Sequence, residues 1–148
     1  MKTLFDEALR KDLLARLDRV RSDSRPRWGR MNAEQMLAHL VASSKMALGE
    51  LQAKRKKGPI RYPPLRQLVA YWLPWPKGVP TAAELIPSAN CESMERSRNE
   101  LNRLLDAFAA RAAEPAWPEH PAFGNLGRKG WGILAWRHFD HHLRQFGV

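Results

Sequence analysis

Five histidines, at positions 39, 120, 138, 141 and 142, are the residues of this 148-residue chain best suited to chemistry, and three of them fall in the string HFDHH. His138 and His142 are four apart, so on a helix their side chains stand one turn apart on one face, about 5–6 Å between Cβ atoms. One divalent ion can reach both, because an imidazole nitrogen binds zinc at about 2.0–2.1 Å. His39 is the natural third ligand. It shares helical spacing with Met36, Leu40 and Ser43 and so should face the interior, where a polar ring needs a partner. A set of three histidines leaves a coordination position open, which in zinc proteins goes with a bound water or substrate atom and hence with catalysis.

The same spacing admits plainer readings. A histidine on an apolar stripe is commonly a hydrogen-bonded core residue, and a helix ending HFDHHLRQF can be a polar last turn whose cations favour the negative end of the helix dipole. His141 points about 100 degrees from its neighbour and is assigned no metal. Asp140 and Arg144 read as an exposed ion pair. Gln145, beyond His142, reads as packing at the helix end, with orienting a ligand as the alternative. No residue is singled out as catalytic. Cys91 has no base placed beside it and reads as structural. Phe139 stands where the glutamate of an HExxH protease would be, and no phosphate-binding glycine motif occurs. The six tryptophans lie mostly in or beside loops, where they either line a pocket mouth or anchor the loops.

Four amphipathic helices must position these residues. Leu4, Phe5, Leu9, Leu13, Leu17 and Val20 predict a first helix over about 4–22. Asn32 and Gln35 form a variant capping box opening a second, which carries His39 and runs to about Ala53. Met94, Leu101, Leu104, Leu105 and Phe108 predict a third over about 91–111, and a fourth follows over about 128–146, its first turn weakened by Gly130 and Gly132. Seven of the eleven prolines lie between Lys54 and Pro87, so a long crossover with one short helix joins the second helix to the third. No alternating strand is present. The expected fold is all-α, a four-helix bundle in a single domain over residues 1–148.

Composition bounds the function. The 44% hydrophobic and 27% charged residues are ordinary for a globular chain. The longest apolar run, Leu68 to Leu73, is far short of the roughly 18 residues that span a bilayer. Asp6 and Glu7 interrupt any signal-peptide core at the start, and the lone cysteine suits a reducing compartment; both point to the cytoplasm. The net charge of +10 is concentrated in one stretch. Residues 25–80 hold 11 Lys and Arg against 2 Asp and Glu, whereas residues 1–24 have 6 against 5 and residues 81–148 have 8 against 8. Lys54, Arg55, Lys56, Lys57 and Arg61 read as an exposed, solubilising loop, which would draw in an anionic substrate if the crossover folds over the metal. A basic nucleic-acid-binding module and a non-catalytic bundle that dimerises through exposed helix faces are the alternatives.

The runs WGRMNAEQMLAHL (Trp28 to Leu40), KMALGEL (from Lys45), PWPKGVPTAAELI (from Pro74), HPAFGNLG (His120 to Gly127) and WRHFDHHLRQFGV (Trp136 to Val148) resemble the DinB/YfiT-like superfamily, and within it a bacterial subgroup of uncharacterised function. The resemblance spans essentially the whole chain. It implies a four-helix bundle holding a divalent metal, nickel or zinc, on one histidine of the second helix and an HxxxH pair of the last, matching His39, His138 and His142. Characterised relatives include metal-dependent thiol transferases and isomerases using low-molecular-weight thiols, so the resemblance implies a metal-dependent enzyme acting on a small molecule, a thiol S-transferase with a low-molecular-weight thiol as cosubstrate; a hydrolase is the alternative that a metal-bound water would allow. One departure is Gly127-Arg128-Lys129-Gly130, where related chains have a Thr-Pro-acidic helix start.

Overall fold

A computed structural model describes residues 1–77, 83–87 and 92–148; Cys91 and part of the PWPKGVPTAAELI run lie outside the described residues. The described chain is all-helical: α1 Glu7–Asp18, α2 Ala33–Leu48, α3 Leu65–Gln67, α4 Met94–Ala110 and α5 Gly127–Gln145. A π-helical turn, Leu68–Trp72, continues α3, and short 3-10 turns occupy Pro59–Arg61, Ala83–Leu85 and Arg111–Ala113. None of these helices is long and apolar enough to cross a membrane.

The helix limits follow from where the backbone finds its partners. α1 begins later than its apolar pattern predicts because Asp6 caps it, accepting from the Leu9 N–H at 3.1 Å. Leu4, although buried, lies in a turn closed by the Asp6 N–H on the Thr3 carbonyl, and donates its own N–H to the Gly132 carbonyl at 2.9 Å. α2 opens with the expected capping box: Asn32 Oδ1 accepts from Gln35 N–H at 2.8 Å and Gln35 Oε1 from Asn32 N–H at 3.0 Å. It stops at Leu48 rather than Ala53, because Gly49 turns left-handed at φ 81° and Glu50 N–H returns to the Lys45 carbonyl. Ser93 caps α4.

α2 packs most extensively on α4, while α1 meets both α4 and α5, and α2 also meets α5. Leu13 and Leu17 of α1, Met36, Leu37 and Leu40 of α2, Leu101 and Leu105 of α4, and Phe139 and Leu143 of α5 bury their side chains in one core. Arg16 fastens α1 to the end of α5, donating to Asp140 at 2.9 Å and to the Val148 carbonyl at 3.1 Å. Asp140 is therefore partly buried and shared: Arg144, the partner its spacing suggests, stands farther off at 3.7 Å.

Gly130 and Gly132 lower helix propensity for a packing reason. A Cβ at Gly132 would lie 2.6 Å from Phe5 Cδ2 and against Thr3 Oγ1, and one at Gly130 would strike the Tyr71 hydroxyl. The Phe5 ring cannot retreat easily, being held between Phe108 at 5.1 Å and Trp117 at 5.6 Å. Gly132→Ala should therefore destabilise by about 1–3 kcal/mol despite alanine's better helix propensity. A thermal melt several degrees lower is the expected result; an unchanged or raised midpoint would show that the N-terminal segment yields without cost.

Candidate metal centre

His39 reaches the interior from α2, and His138 and His142 come from successive turns of α5. His39 and His142 are buried, at 4% and 7% exposure. The His138 Nε2 lies 3.0 Å from His39 Nε2 and 3.1 Å from His142 Nε2, and one nitrogen from each ring falls within 4.8 Å of the others. Nitrogens sharing one ion stand about 3.3 Å apart on a tetrahedron and about 2.9 Å on an octahedral face, given bonds of about 2.05 Å. The two separations from His138 lie between these values, and the His39 and His142 nitrogens fall within 4.8 Å of each other, so the three residues could hold a metal ion.

The outer nitrogens decide which form the rings take. His39 Nδ1 sits 2.9 Å from the Leu85 carbonyl, which can only accept, so Nδ1 carries the proton and Nε2 the lone pair. On the other side, the Gln145 amide nitrogen donates to the Trp28 carbonyl, which fixes that amide and leaves its Oε1 facing His142 Nδ1 at 2.9 Å. His142 Nδ1 must then be the donor and its Nε2 a lone pair. A single proton on His138 Nε2 can satisfy only one of two facing lone pairs, whereas a cation satisfies all. Supporting contacts to the distal nitrogen are the usual companions of metal-binding imidazoles.

Electrostatics favour the same state. Burial pushes the His39 and His138 imidazoles below their usual range, His138 far below, and the nearby histidines add to the effect on His138. His142 is pushed down to about 3 by burial and by His39. At neutral pH all three rings are uncharged, as metal ligation requires.

The remaining sequence-derived residues fall around this centre. His141 is excluded from it and packs its ring on Trp28 at 5.8 Å and Trp75 at 5.9 Å. Gln145 is more than end packing, since it orients His142. The basic stretch is not one exposed loop. Arg61 is 6% exposed; it donates to the carbonyls of Lys56, His120 and Pro121 and pairs with Glu119 at 2.8 Å. Lys56 and Lys57, together with Trp28, Trp75 and Trp131, line a cavity of about 930 Å³ that opens onto the three histidines.

His120, which spacing does not connect to the other histidines, lines this cavity too. Its backbone pairs with Gly124 in both directions, at 2.9 and 2.8 Å, closing a tight turn over Pro121–Phe123. The Pro and Gly of HPAFG signal the turn; nothing local signals where the ring goes.

Two outcomes are expected. Gln145→Leu should lower metal affinity by about 10- to 100-fold at neutral pH, as loss of a ligand-orienting partner commonly does; unchanged affinity by competitive titration would remove Gln145 from the site. For metal-free protein, histidines depressed in the fold bind protons more readily when unfolded. Their contribution to stability is complete above about pH 6.5 and is lost as pH falls below it toward the folded values. The melting temperature should fall between pH 6.5 and 4.5, by an amount equivalent to as much as about 1.4 kcal/mol per pH unit for each such histidine. A flat profile there would contradict the buried neutral cluster.

Comparison with known proteins gives a family without an activity. No curated protein and no solved structure matches the chain. A family model described as a protein of unknown function, DUF1569, matches residues 4–147, nearly the whole chain, and this chain is a member of that family.

Proposed function

We propose that this chain is a metal-dependent enzyme of the DinB/YfiT-like type, a four-helix bundle of α1, α2, α4 and α5 that acts on a small molecule by thiol transfer or hydrolysis. The observation that carries the reading is the convergence of His39, His138 and His142 on one point, with the two outer rings fixed as Nδ1–H tautomers. A nickel or zinc ion on these nitrogens would supply Lewis acidity, holding a thiol as thiolate or making a bound water easier to ionise. Three protein ligands leave room for either.

The chain's own residues do the rest. Leu85 and Gln145 hold the imidazoles in the ligating tautomer. Phe139 and Leu134, buried at the cavity wall, lower the polarity beside the site and so strengthen charge interactions there. The cavity of about 930 Å³ is of a size that encloses a small organic molecule. Lys56 and Lys57 at its lining favour an anionic one.

The test is turnover by metal-loaded protein of low-molecular-weight thiols with epoxides, and separately of aryl esters and amides. One class should react in proportion to bound metal, with at least about 100-fold loss in a His39→Ala variant that keeps its helical content. Turnover independent of metal, or none in either class, would contradict the reading.

A further inference from the structure

His120 is set as carefully as the triad, yet nothing in metal binding uses it. Its Nδ1 accepts two backbone N–H groups, from Ala122 at 3.1 Å and Phe123 at 3.2 Å. The ring's proton must therefore sit on Nε2. That nitrogen has no partner among the described residues, and the ring lines the cavity. The imidazole is held between Phe123 at 4.9 Å and Trp131 at 5.2 Å. Its loop is clasped by Arg61, which donates to the carbonyls of both His120 and Pro121. The ring that carries this fixed-tautomer N–H thus lines an otherwise largely apolar chamber.

The local field selects what it would meet. Burial, Arg61 and Lys56 together hold His120 down to about 3, so the ring stays a neutral donor. The positive potential that opposes its protonation attracts an anion. Lys56 and Lys57 line the same chamber, and neither forms an ion pair among the described residues. Trp131 and Leu134 precede His138 along α5, and Val69 and Phe139 line the same chamber. Trp131 lies against His120, and His138 follows seven residues later on the same helix, so about 10 Å of helix axis separates the two polar ends.

We propose that His120 Nε2–H, with Lys56 and Lys57, forms a carboxylate-binding subsite, so that the cavity takes an amphipathic carboxylic acid with its head at His120 and its apolar chain directed toward the histidine triad. The proposal relies on the metal reading only for what happens at the far end of the ligand. Head-group binding does not require an ion.

Decanoate is the probe, measured by titration calorimetry on the full chain as purified and again after chelation, with decyltrimethylammonium as the same chain bearing the opposite charge. Two substitutions separate binding from loop structure. In His120→Asn the amide oxygen can replace Nδ1 as the loop's acceptor while no donor reaches the Nε2 position. In His120→Gln a donor reaches that position and the loop acceptor is lost. Decanoate should bind the parent in both states and decyltrimethylammonium should not. His120→Asn should weaken decanoate by about 10- to 100-fold, the worth of a hydrogen bond to a charged group, with an unchanged melting temperature. His120→Gln should stay within a few-fold of the parent. The doubly substituted Lys56→Gln, Lys57→Gln protein, changed only at exposed side chains, should bind decanoate more weakly and with less dependence on salt.

Equal affinity in parent and His120→Asn would overturn the subsite, as would equal binding of the cationic chain or no binding of decanoate. Decanoate binding that vanishes on chelation but not on His120→Asn would place the carboxylate at the metal and also overturn it. A decanoate response to His120→Asn in protein that never takes up metal would leave the subsite standing and remove the metal reading.

Discussion

Imidazole lone pairs repel one another at about 3 Å unless a proton or a cation stands between them, and three converging rings need more than one proton can supply. The whole arrangement around His39, His138 and His142 tightens that constraint. Leu85 draws the His39 proton to the outer nitrogen, and Gln145, itself fixed by the Trp28 carbonyl, does the same for His142. Burial then blocks the easiest escape, which is protonation from solvent. What is left is a neutral, inward-facing donor set suited to a divalent ion.

Much of the fold serves to hold those two helices in register. The capping box sets where α2 begins, and with it which residues of that helix face α5. Gly130 and Gly132 let Tyr71 and Phe5 approach the α5 backbone, so the helix is seated at its start. Its end is tied by Arg16 to Asp140 and by the Arg27 N–H to the Gln145 carbonyl at 2.7 Å. The connections contribute as much as the helices. The segment after α2 supplies Lys56, Lys57 and the buried Arg61, and the segment before α5 supplies His120, so two loops close one chamber over the histidines.

Local rules explain what was legible from sequence. The HxxxH pair, the apolar face around His39, the Asn32–Gln35 box and the proline-rich crossover all depend on spacing within one segment; the described structure contains the first three and the described part of the crossover. Distant partners explain the rest. The Leu85 carbonyl is 46 residues from His39 and belongs to no pattern. The first apolar residues look helical, but Leu4 gives its N–H to α5 instead. Gly130 and Gly132 weaken a helix when read by propensity and fit it when read by packing. Arg61 resembles its basic neighbours in composition, and only the carbonyls of a loop some sixty residues away bury it. His120 is concealed for the same reason.

Elemental analysis of protein purified without a histidine tag or chelator tests the central claim most directly, run beside His138→Ala and His142→Ala. The account predicts about one nickel, zinc or similar ion per chain, absent from both variants while their helical content persists. Parent protein that stays metal-free after reloading with nickel or zinc at neutral pH, or variants that keep the ion, would contradict it.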